Sequence, residues 1–139
     1  MGGDGMTLIT NLYADPKALH ALNTWLAGTT QNGDGKYVYT GHNRNWSVAL
    51  QGVTPGWVVA VDFNTSRRDV FSLEHCQMIY KSSTTLAGVY GSDNCSLYCS
   101  DGEGVSVTVN RIGMYSLDDW NRLRQYGLDW FDGDTMPLQ

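Results

Sequence analysis

Charge is scarce in this chain. Only 17% of its 139 residues are Asp, Glu, Lys or Arg, and just 9 are Lys or Arg. So few cations make a poor match for a phosphate backbone, which disfavours nucleic acid as a partner. Long apolar runs are also missing. The longest uncharged stretch, 45–61, is broken by Asn, Ser, Gln, Gly, Thr and Pro, and cannot serve as the ~20 apolar residues of a membrane span, so no membrane is expected as a partner. The opening residues, Met1-Gly2-Gly3-Asp4-Gly5-Met6, carry neither the basic nor the apolar segment of a secretory signal. The expected compartment is therefore the cytoplasm, with residues 1–6 a flexible start. Cysteines number 3, at Cys76, Cys95 and Cys99. An odd count without an export signal argues for reduced thiols and against a disulfide framework.

What the chain does have is apolar and aromatic mass. Hydrophobic residues make up 42%, with 5 Trp and 8 Tyr, which excludes intrinsic disorder. The length suits one globular domain over 1–139 that needs no metal or disulfide to fold. The net charge of −5 is unevenly placed. Acids and bases cancel over residues 1–90, so all of it falls in 91–139, where Asp93, Asp101, Glu103, Asp118, Asp119, Asp129, Asp132 and Asp134 face only Arg111, Arg122 and Arg124. An acidic segment of this kind attracts and steers a basic protein partner.

Periodicity predicts an α+β fold. Asp15-Pro16 is a helix opening, and Leu19, Leu22, Trp25 and Leu26 recur at helical spacing to about Ala27. Residues 29–35 read as a turn. Trp46, Val48 and Leu50 alternate with Ser47, Ala49 and Gln51, the period of a half-buried strand, and residues 57–63 read as a central strand covered on both faces. Further strands are predicted around 70–73 and 76–80, then a loop over 82–91, then a hairpin of 95–99 with 105–109. Ser116 and Asp119 resemble a capping box opening a final helix whose apolar stripe reaches Phe131, with Asp118 and Arg122 as an i,i+4 pair. The expected architecture is an antiparallel sheet of five to six strands flanked by an N-terminal and a C-terminal helix on one face, with 132–139 a flexible tail.

No assembled catalytic or metal site is legible. On a strand, Cys95 and Cys99 would stand ~13 Å apart, too far for one tetrahedral zinc or a disulfide, so no metal or cofactor is expected. The three histidines, His20, His42 and His75, are scattered and adjoin no nucleophile motif. Asn32-Gly33-Asp34-Gly35 lacks the Glu that closes a calcium loop. Asp129, Asp132 and Asp134 are different: at the end of the predicted last helix the macrodipole disfavours them, and they stand beside Trp130 and Phe131, a mixture suited to gripping a basic partner.

The order of several features resembles the immunity protein 53 family of bacterial toxin systems. The carriers are Leu22-Asn23-Thr24-Trp25, then Pro55-Gly56-Trp57 leading into Val58-Val59-Ala60-Val61-Asp62, and Leu117-Asp118-Asp119-Trp120 to Leu128-Asp129-Trp130-Phe131, over about residues 19–131. Thr54 stands where that family has asparagine before Pro-Gly-Trp, and 32–39 lacks its aspartate-glycine-aspartate-tryptophan-glutamate stretch. The resemblance implies a small cytoplasmic protein that neutralises a toxin by binding it, without catalysis, with Trp25, Pro55, Gly56 and Trp57 as fold-forming positions. The expected function is an immunity protein that occludes the basic cleft of a cognate toxin through Tyr98, Asp101, Glu103, Asp129, Trp130, Asp132 and Asp134. The alternative is a small-ligand or carbohydrate-binding β-rich module stacking its ligand on Trp46, Tyr37, Tyr39 or Tyr98. An enzyme would need His42 or His75 beside a carboxylate in a cleft.

Overall fold

The computed structural model describes residues 7–131 and 136–138. In chain order the elements are β1 (Thr7–Ile9), β2 (Thr24–Trp25), β3 (Ala27–Gln31), β4 (Tyr37–Gly41), β5 (Trp46–Ala49) and β6 (Val58–Thr65). A turn of 3-10 helix (Arg68–Val70) leads to β7 (Phe71–Glu74), β8 (Cys76–Lys81), β9 (Thr85–Tyr90), β10 (Ser96–Cys99) and β11 (Ser106–Tyr115). Helix α1 (Leu117–Gln125) and β12 (Met136–Leu138) complete the order. A six-stranded antiparallel sheet, β3-β4-β11-β6-β9-β8, packs against a four-stranded one, β2-β5-β10-β7. β1 and β12 pair separately, so residues 136–138 of the expected tail lie in a strand.

The core between the sheets follows from alternation. Trp46 and Val48 of β5, Leu97 and Cys99 of β10, and Phe71 and Leu73 of β7 point inward to meet Tyr39, Val59, Val61, Phe63, Val107 and Val109 of the larger sheet. The larger sheet is covered on its other face too. There Val58, Ala60, Ala87 and Tyr115 pack with Trp120 and Leu123 of α1, and the Tyr80 and Trp120 rings meet edge to face at 5.5 Å. Both faces of β6 are thus buried, which is why Val58–Phe63 carries no exposed residue, as its unbroken apolar run predicts. Asp62 is the one charge in it, held by Arg111 Nη2 at 2.6 Å and Asn110 Nδ2 at 3.0 Å.

The expected N-terminal helix does not exist. Asp15 does cap, accepting the Leu19 and His20 amides at 3.0 and 2.9 Å, but it closes a turn, because Ala18 takes a left-handed φ of 54°. Beyond it, Thr24, Gly28, Thr29 and Thr30 favour strand or carry no helical preference, and pairing with β5 and β4 draws the segment into β2 and β3. The strand runs to Gln31, which leaves the predicted turn only at 32–35, where Asn32 Oδ1 accepts the Asp34 and Lys36 amides.

Three further expectations are corrected. The loop at 82–91 contains β9, which pairs on both sides. The strands of the expected hairpin both form but never pair with each other: β10 lies in the small sheet and β11 in the large one. Helix α1 begins as predicted, with Ser116 Oγ accepting the Asp119 amide at 3.1 Å, but it stops at Gln125. Gly127, at a φ of 75°, ends it in a Schellman arrangement, with the Gly127 amide on Arg124 O and the Leu128 amide on Leu123 O. Arg122 pairs with Asp119 at 3.2 Å rather than with Asp118. Among the described residues no helix is long and apolar enough to cross a membrane.

Trp46 is the largest fully buried side chain. Its indole Nε1 donates to Gly102 O at 2.9 Å, its ring meets Phe71 edge-on at 5.6 Å, and a β-carbon on Gly41 would fall 2.1 Å from Nε1. Trp46→Ala is expected to cost about 3–5 kcal/mol, whereas Trp25→Ala, at an exposed position, should cost no more than about 1 kcal/mol. Denaturant midpoints at unchanged m-value measure both; equal costs would refute this assignment of core and surface.

Candidate functional site

The outer face of the small sheet lines a cleft, and the residues that alternation sends there are small, polar or aromatic. Register places them in two rows. Trp25, Ser47, Tyr98 and Ser72 form one row across β2, β5, β10 and β7. Ala49, Ser96 and Glu74 form the next, extended by Asn23, whose carbonyl accepts the Ala49 amide at 2.8 Å. Trp25 and Tyr98 stand on strands two apart, so their backbones are about 10 Å from one another, with only Ser47 between them. Small residues make the floor and two aromatic residues make the walls.

Two loops raise the far end into a cavity of about 650 Å³, inside the roughly 300–1,000 Å³ typical of small-molecule sites. One loop contributes Leu50, Gln51, Gly52 and Val53, the other Asp93, Asn94 and Cys95, with Tyr90 at the end of β9 beside it. They are tied together by the Leu50 amide on Cys95 O at 2.9 Å. Gly52, at a φ of 82°, and Asp93, at 68°, turn the two loops, and Tyr90 donates its hydroxyl to Asp93 O. The polar residues of the lining include Asn23, Gln51 and Asn94 with side-chain amides, Ser47, Ser96, Tyr90 and Tyr98 with hydroxyls, and Glu74 and Asp93 with carboxylates. Glu74 accepts the Ser96 hydroxyl at 2.8 Å. No Lys or Arg is among the described lining residues, so the cleft lacks the cations that hold a phosphate or sulfate.

The residues named from sequence fall in three places. Tyr98 is half-buried in the cleft. Asp101 and Glu103 are exposed in the turn between β10 and β11, Asp101 at a left-handed φ of 65° and paired with Arg44 at 3.0 Å. Asp129 and Trp130 lie at the far end of β11. Asp129 accepts the Tyr80 hydroxyl at 3.1 Å, and Trp130 donates to Ile112 O at 3.1 Å under the Arg111 guanidinium. From Ser106 to Ile112 is six strand steps, about 20 Å, so the turn and the Asp129–Trp130 corner form separate surfaces. Asp132 and Asp134 lie outside the described residues.

The other aromatic candidates are mostly core. Trp46 and Tyr39 are buried, and the Tyr39 hydroxyl accepts the Leu22 amide at 2.8 Å; Tyr37 packs against the same core. Trp25, expected as a fold-forming position within a helix, is instead 53% exposed on the edge strand β2 and lines the cleft. The signal lay in its neighbours, since Thr24, Thr29 and Thr30 suit a strand better than a helix. His75 Nδ1 meets the Asn94 carbonyl, which raises its pKa above the ordinary value, and His20 lies 3.3 Å from Asp15 on the open surface. Among the described residues no group of three or more His, Cys, Asp or Glu could hold a metal ion.

Exposure of Trp25 is directly measurable. Iodide should quench the wild-type chain, and Trp25→Phe should remove the largest share of the quenchable emission; an unchanged quenching curve would place Trp25 inside the protein. Comparison with protein-family models, with curated proteins and with solved structures finds no match, so the reading of this cleft rests on its own residues.

Proposed function

We propose that this chain binds a small, neutral, polyhydroxylated ligand, a carbohydrate, in the outer cleft of the four-stranded sheet. The observation that carries the reading is the row Trp25–Ser47–Tyr98, two aromatic side chains flanking a small floor. A sugar ring has an apolar C–H face that packs on an aromatic ring. Its hydroxyls both donate and accept, which matches side-chain amides and carboxylates used together, here Asn23, Gln51, Asn94, Glu74 and Asp93. The missing cations select against phosphorylated or sulfated ligands. In this reading the molecule holds its ligand without turnover and needs no cofactor.

The test is titration of a panel of neutral oligosaccharides by calorimetry. Saturable binding is expected, weakened at least about tenfold, or about 1.4 kcal/mol, by Trp25→Ala and by Tyr98→Ala, and little altered by salt. Absence of binding across the panel, or affinity indifferent to both substitutions, would overturn the reading.

The toxin-neutralising reading is the second, and the exposed Asp101–Glu103 turn, in the acidic third of the sequence, favours it. A cytoplasmic inhibitor would meet the basic cleft of its toxin there. Charge reversal at Asp101 and Glu103 to Lys should then release a protein co-purified from the native host and lessen the salt sensitivity of the complex. The same pair of changes leaves saccharide binding intact if the cleft is the working site, so the two readings separate on one variant.

A further inference from the structure

The three cysteines are unbonded but not equivalent. Cys99 is fully buried, with its sulfur so close to Gly102 that a β-carbon there would stand 2.2 Å away, and burial pushes its thiol up to about 11. Cys76 and Cys95 differ. Cys76 opens the edge strand β8 of the large sheet and is half-buried. Cys95 lies just before β10 of the small sheet, in the wall of the cleft. Their sulfurs are 3.8 Å apart, although the residues belong to different sheets.

We propose that Cys76 and Cys95 form a redox-active dithiol, oxidised by small-molecule disulfides such as glutathione disulfide to a covalent bond between the two sheets. Closing the present contact of 3.8 Å to a bond of about 2.0 Å asks for a movement of under about 2 Å between the sulfurs. The roles are asymmetric. The contact with Cys95, together with the neighbouring His75, lowers the Cys76 thiol below its ordinary value, whereas the same contact and burial raise Cys95. Cys76, on an edge strand, is also the less buried of the two, and is therefore the attacking thiolate. It displaces one glutathione thiolate from the disulfide and becomes a mixed disulfide. Cys95 then gives up its proton and attacks the Cys76 sulfur, and the second glutathione leaves as a thiolate that takes that proton. One disulfide and two thiols are consumed; one protein disulfide and two free glutathiones are formed. The proposal stands on the thiol geometry and is independent of what the cleft binds.

The full chain is incubated with glutathione disulfide and followed by intact mass and peptide mapping. The expected product has lost the mass of two hydrogens, links Cys76 to Cys95, leaves Cys99 free, and reverts with dithiothreitol. Cys95→Ser should stop at one glutathionyl group on Cys76, and Cys76→Ser should block both steps, with near-ultraviolet circular dichroism confirming that each variant folds. Wild-type chain that keeps three alkylatable thiols, stops as a glutathionyl adduct, or forms a link through Cys99 would overturn the proposal, and none of these readings needs a variant to fold.

Discussion

The placement of one indole decides which face of the small sheet meets water. Trp46 is seated over Gly41 and Gly102, where neither neighbour carries a β-carbon. Its Nε1–H satisfies the Gly102 carbonyl within the core, a bond whose loss would leave a buried acceptor at a cost of about 1–3 kcal/mol. Because side chains alternate along a strand, seating Trp46 inward seats Val48 inward and sends Ser47 and Ala49 outward. A slip of one residue would reverse all four. The floor of the cleft is thus a consequence of core packing, and β10, held in register with β5, presents Tyr98 to the same side.

Sequence patterning carried far where a segment's environment is simple. The alternation from Trp46 to Ala49 is that of β5, the unbroken run after Pro55-Gly56 is a central strand, and Ser116 caps α1 through Asp119. It failed where a partner distant in sequence decides. Leu19, Leu22, Trp25 and Leu26 have helical spacing, yet Leu19 is 59% exposed, so that spacing marks no buried face. The segments 95–99 and 105–109 are close in sequence and read as a hairpin, but Gly102 is fastened to Arg44 and Gly104 to Gly41. Those contacts hand β10 and β11 to opposite sheets. A short connection cannot reveal this, since it serves a sheet-to-sheet crossing as well as a hairpin.

The cleft was legible only in part, for the same reason. Tyr98 could be picked out as an aromatic on an alternating strand, whereas Trp25 was hidden by the mistaken helix and Asn23, Gln51 and Asn94 sit where no motif marks them. Trp46 and Tyr39 attracted attention as aromatic residues and are core. The Cys76–Cys95 contact is likewise invisible in spacing, because the two residues share no element. What distinguishes a stacking aromatic from a packing one is its sheet face, and that is a property of register.

Among the described residues, several acids of the charged last third are engaged locally at separate places. Asp119 accepts the Thr10 amide and pairs with Arg122, Asp101 pairs with Arg44, and Asp129 takes the Tyr80 hydroxyl. Each is spent on local geometry, and exposed pairs of this kind contribute little to stability or to a long-range field. Asp93 belongs instead to the cleft, beside Glu74 and with no cation among the described lining residues. There a carboxylate could do something the others do not: under the proposed reading it would accept hydrogen bonds from a hydroxylated ligand and repel an anionic one. Under the proposed reading, selectivity would follow from that balance, with aromatic faces providing attraction common to many rings and carboxylate acceptors favouring those that bring hydroxyl donors.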